Sequence, residues 1–157
     1  MSAGAGDVVG LRVRGGRRAL LIFASAALVF SVLHHADHVI RGSHSGWPFG
    51  SEVTPFTYSL LIYALILPAI YLTAGGRDVA GYHLFVALGG LALIGFVHFV
   101  PVGGHEAPIG DIYAAYGSAS AGLLALGILA GLITSVAALA VAALGTFRMR
   151  YRSTKGG

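Results

Sequence analysis

Four long apolar runs, at about 19–40, 55–73, 79–100 and 112–147, fill most of this 157-residue chain and nearly exclude charge. Each is at least about as long as the roughly 20 residues a helix needs to cross a bilayer. In lipid, a spanning backbone must satisfy its own hydrogen bonds, and runs of this length do so as helices. Composition agrees: 56% of residues are hydrophobic and only 10% charged, against about 25% charged in a soluble domain. The expected fold class is an all-α integral membrane protein, a four-transmembrane-helix bundle that behaves as a multi-pass protein of the cell membrane. The lipid bilayer is its expected partner, with homo-oligomers and membrane-complex subunits left open.

The punctuation between the runs sets the domain organisation. Residues 1–18 are Gly-rich and basic, and 148–157 carry Arg148, Arg150, Arg152 and Lys155; both read as basic cytoplasmic tails around a transmembrane domain at 19–147. Ala24-Ser25-Ala26 falls too early in the first run for signal cleavage, so that run is expected to remain as a span. Thr54-Pro55 is a helix start, with Thr as N-cap and Pro in the first turn. Pro68 is expected to kink the second span. The last run exceeds one crossing, so its first turns, near Tyr113 and Tyr116, should tilt or project.

Nine of the ten basic residues fall before the first span, in the turn at 74–78 or after the last span; only Arg41 lies on the opposite side. By the positive-inside rule the N and C termini are cytoplasmic and the 41–54 and 101–111 loops face outward. The +4 charge then reports topology, and no nucleic acid partner is expected. The absence of cysteine excludes disulfides, iron–sulfur clusters, thiolate zinc sites and Cys-attached haem.

That topology gathers chemistry at one end. Six of seven histidines and four of six acids map to the outer boundary or outer loops. The densest stretch is His34-His35-Ala36-Asp37-His38-Val39-Ile40-Arg41. At roughly 100° per residue, His34, Asp37, His38 and Arg41 share one helix face, and His35 lies at its edge. Ionisable groups at membrane depth are costly and are usually paired or functional.

His34 and His38, at i,i+4, are a natural ligand pair. His98, near the outer end of the third span, is at matched depth. The candidate metal ligands are therefore His34, His38 and His98, then Asp37, His105 and Glu106. His35, Arg41, His44, Glu52, Asp111 and Tyr113 are supporting candidates. Nitrogen and oxygen donors without sulfur suit zinc, iron, copper or manganese. Haem b between His34 or His38 and His98 is a further reading, as is a quinone or lipid site. The bland alternative is an interfacial belt, with Asp37 paired to Arg41 and the imidazoles reaching for headgroups.

The two hairpins share a faint pattern of an outer His, a Gly-x-His or Gly-Gly-His loop, a Pro and an aromatic helix start, which suggests a parallel repeat. In the last run, Gly117-x-x-x-Ala121, Ser118-x-x-x-Gly122 and Gly127-x-x-x-Gly131 are spaced for close helix approach, chiefly within the chain. The helix centres are nearly pure Ala, Gly, Leu and Val, which argues against a conducting path. No phosphate loop, dinucleotide fingerprint or nucleophile elbow is present. Whether the chain is an enzyme, a redox protein or an accessory subunit is left open.

Overall fold

The computed structural model describes residues 5–44, 47, 50–100 and 109–155, with side chains for 14–42, 44, 47, 50–100 and 112–149. All regular structure in them is helical. The helices are α1 (Ala5–Arg41), α2 (Pro55–Ser59), α3 (Leu61–Ala74), α4 (Ala80–Phe99), α5 (Ile109–Ala114) and α6 (Ala119–Lys155), with a 3-10 turn at Gly42–His44. Four stretches are long and apolar enough to cross a membrane: Arg14–Arg41, Pro55–Ala74, Ala80–Phe99 and Ala119–Met149.

Helix α1 packs on α6 and α3, and α4 packs on α6 and α3; the diagonal α1–α4 touches sparsely. The four long helical stretches thus form an up-and-down ring. Along α1 the buried seam runs Leu20, Ala24, Ala27, Ser31, His34, His38 and Arg41, spaced alternately four and three, with Asp37 buried beside it. On α6, Ala125, Leu129, Leu132, Val136, Leu139, Ala143 and Thr146 repeat nearly the same spacing. A 3.5-residue period keeps one seam facing its partner along the whole contact. Small residues at the seam, Ala24 and Ala143 among them, let the two backbones approach closely.

Of the small-residue pairs in the last apolar run, Gly122 and Gly131 face neighbours within the chain. A Cβ on Gly131 would enter the Phe30 ring, and one on Gly122 would meet the Tyr113 backbone, whereas Gly127 and Gly117 have open space around them.

Opposite the His-rich end, Arg17 ties α1 to α3. Its Nε–H donates to the Thr73 carbonyl at 2.9 Å and its Nη2–H to that of Ala74, which puts a cation at a helix C-terminus. The Thr73 hydroxyl donates to Ala69 O at 2.8 Å, so its oxygen accepts from the fully buried His83 Nε2–H of α4 at 2.7 Å. This corner of the ring is clasped.

Three boundaries differ from the sequence reading. The basic segments continue as helix, α1 beginning at Ala5 and α6 running to Lys155, because the Arg, Leu, Met and Lys in them are good helix formers. The 55–73 run is divided at Leu60, where the Ser59 hydroxyl takes the Phe56 carbonyl at 2.6 Å, a side-chain bond that competes with the helix ladder. The 112–147 run is divided at Gly117, whose φ of +57° suits glycine and ends a helical turn. Of the projecting turns expected near Tyr113 and Tyr116, Tyr113 belongs to a separate short helix, α5, that lies against α6, and Tyr116 to the turn that follows it.

Thr54 caps α2 as its sequence indicates: its hydroxyl accepts from Thr57 N–H, while Thr57 Oγ1 accepts from Thr54 N–H at 3.3 Å. Thr54→Ala is expected to cost about 1 kcal/mol, read as a lower thermal midpoint with the helix content unchanged.

Candidate metal centre

In an up-and-down ring α1 and α4 run parallel, so their C-terminal turns meet at the same end. α1 brings His34 and His38, one turn apart; α4 brings His98 in its last turn. All three are buried, at 5%, 3% and 4% exposure. The Nε2 atom of His34 lies 3.1 Å from that of His98 and 3.2 Å from that of His38. One nitrogen from each ring falls within 4.8 Å of the others.

This cluster is awkward as a hydrogen-bond network. A neutral ring nitrogen carries either one proton or one in-plane lone pair, so His34 Nε2 can serve one neighbour well and not both. A central cation would remove the conflict, because each ring could then offer it a lone pair. The spacing suits one: metal–imidazole bonds of 2.0–2.1 Å in tetrahedral array put ligand nitrogens about 3.3 Å apart. Ligation through Nε2 places the proton on Nδ1, and Nδ1 of His34 is buried without a hydrogen-bond partner among the described residues. No carboxylate of the described residues joins the three nitrogens.

Asp37 is engaged elsewhere. Its Oδ2 accepts from Arg41 Nε–H at 2.9 Å, one helical turn on, in an ion pair whose side chains are 4% and 1% exposed. Its Oδ1 accepts from the Tyr116 hydroxyl. Burial, followed by the Asp37 hydrogen bond and charge, pushes the Tyr116 phenol up to about 12, so it remains a donor at neutral pH.

His35, about 100° round the helix from His34, turns to α2 and α3. Because the Ser59 hydroxyl donates to Phe56 O, its oxygen accepts from His35 Nε2–H at 2.8 Å, and His35 Nδ1 accepts from Tyr63 O–H at 2.6 Å. The Phe56 ring packs 5.5 Å from His35 and 5.2 Å from His38 between ring centroids.

Of the other candidates, His44 and Glu52 are exposed, and Tyr113 is 40% exposed with its backbone against α6. His105 and Glu106 lie outside the described residues, as does the side chain of Asp111. Sequence reasoning did not assign Tyr116, Tyr63 or Ser59 to the site. For Tyr116 the available signal was the following glycine, which permits the turn that swings the ring onto Asp37.

A cavity of about 290 Å³ lies beside the triad, with His34, His38 and His98 in its wall. Comparison with protein families, with curated proteins and with solved structures returns no match.

Proposed function

We propose that this chain is an integral membrane metalloprotein that holds one divalent ion on His34, His38 and His98. The convergence of three buried Nε2 atoms carries the reading. Three protein ligands with a position left over is the arrangement of catalytic rather than structural zinc, and imidazole donors suit zinc, copper and iron. The three imidazoles stand in the cavity wall, so an exogenous ligand could reach an ion held there. With the termini in the cytoplasm, as the basic residues favour, the site lies at the extracytoplasmic face of the cell membrane.

Haem b between His34 or His38 and His98 is the weaker reading, and for His34 with His98 the spacing is against it. Two in-line metal–imidazole bonds span about 4 Å, and these nitrogens are 3.1 Å apart.

The test is elemental analysis and absorption spectroscopy of detergent-purified protein beside His98→Ala and the His34→Ala/His38→Ala pair. Stoichiometric metal in the wild type, lost in both variants while helical circular dichroism is retained, is the expected result. A Soret band would replace the ion with haem. Colourless, metal-free protein after incubation with zinc or cobalt would overturn the proposal. A reporter fused in the 41–54 loop and active only in the cytoplasm would overturn the orientation.

A further inference from the structure

The cavity beside the triad is apolar, and its position says what enters it. Ile66 of α3, Val86 of α4 and Leu132 and Val136 of α6 line it. Its volume of about 290 Å³ is roughly twice that of a cavity that admits benzene, so it has room for a short alkyl chain. The lining residues that reach the surface include Leu61 and Leu65 of α3, 58% and 36% exposed, and Phe85 of α4, 66% exposed. These belong to stretches apolar enough to span a membrane, so the mouth between α3 and α4 opens sideways, at bilayer depth.

Charge decides the other end of the occupant. Three neutral imidazoles would leave a divalent ion with both positive charges in a buried site, and such a charge needs an anion. Asp37 is already held by Arg41 and Tyr116.

We propose that the cavity binds a single-chain amphiphile with an anionic, metal-ligating head, of the fatty-carboxylate class. It enters between α3 and α4 and sets its carboxylate on the ion at His34, His38 and His98. The inference rests on the metal reading above.

The test uses the full chain in nanodiscs, loaded with cobalt(II), whose visible bands report coordination. Octanoate is expected to change those bands at concentrations at least about tenfold below acetate, since buried methylenes contribute to affinity; octylamine leaves them unchanged. The single tryptophan, Trp47, lines the cavity, and 8-bromooctanoate should quench it. Gly90→Leu, whose Cβ would sit 3.7 Å from Val136 Cγ1, should fill the cavity and erase the preference for octanoate over acetate. Gly89→Phe, at the exposed mouth with nothing within 4 Å, is the second variant should the first not fold. Absent cobalt bands before any octanoate would overturn the metal reading and this inference together. Cobalt bands that form and then respond equally to acetate and octanoate would overturn this inference alone.

Discussion

Asp37→Ala is expected to destabilise the protein by about 3–5 kcal/mol, the usual cost of removing one member of a buried ion pair. The Arg41 side chain is 1% exposed, so its charge would lose its carboxylate partner in a site closed to water. The Tyr116 hydroxyl would lose its acceptor in the same step. A thermal midpoint in detergent within a degree or two of wild type would contradict this. The companion variant Asp37→Leu/Arg41→Met removes both charges, and buried pairs replaced by apolar side chains often lose little stability. It is expected to recover most of the loss and still bind metal. Loss of metal in a stable double variant would show instead that Asp37 is a ligand.

Gly122→Ala is the second large effect, at about 1–3 kcal/mol from overpacking. The added Cβ would fall 2.7 Å from the Tyr113 carbonyl oxygen and 3.2 Å from its Cα. Backbone atoms cannot rotate aside as a ring can, so α5 must lift from α6 and draw Tyr116 away from Asp37. The energetic signature is coupling: combined with Tyr116→Phe, the two losses should add to less than their sum, because each breaks the same contact. Gly127→Ala is the control, with nothing within 4 Å of its Cβ and a gain of about 0.5–1 kcal/mol available from replacing a mid-helix glycine. Equal melting of the two alanine variants would remove α5 from any role in holding the site.

Both results turn on contacts of different legibility. The four long helices could be read because charge-free runs of this length favour helix, and His34 with His38 because four residues on a helix return to one face. The Asp37–Arg41 pair follows from the same rule. His98 could be matched only by depth, and the ring topology was needed to bring α4's end beside α1's. The break at Gly117 was hidden because α6 carries other glycines, such as Gly127 and Gly131, that stay helical; only the surrounding packing decides which one adopts a positive φ. Tyr116 was hidden with it. His35 looked equivalent to its neighbours in sequence, yet its direction belongs to the hydroxyls of Ser59 and Tyr63, which sit on elements 24 and 28 residues away.

The ring has a mechanical corollary. Four rods joined only along their sides make a frame that can shear into a rhombus, and the α1–α4 diagonal has few contacts to resist it. The His34–His98 contact, 3.1 Å between nitrogens, is a strut across that diagonal, set at one end of the frame. Whatever strengthens or severs it changes the stiffness of the whole bundle at that end, while the Arg17 and His83 corner, far from the strut, keeps its shape.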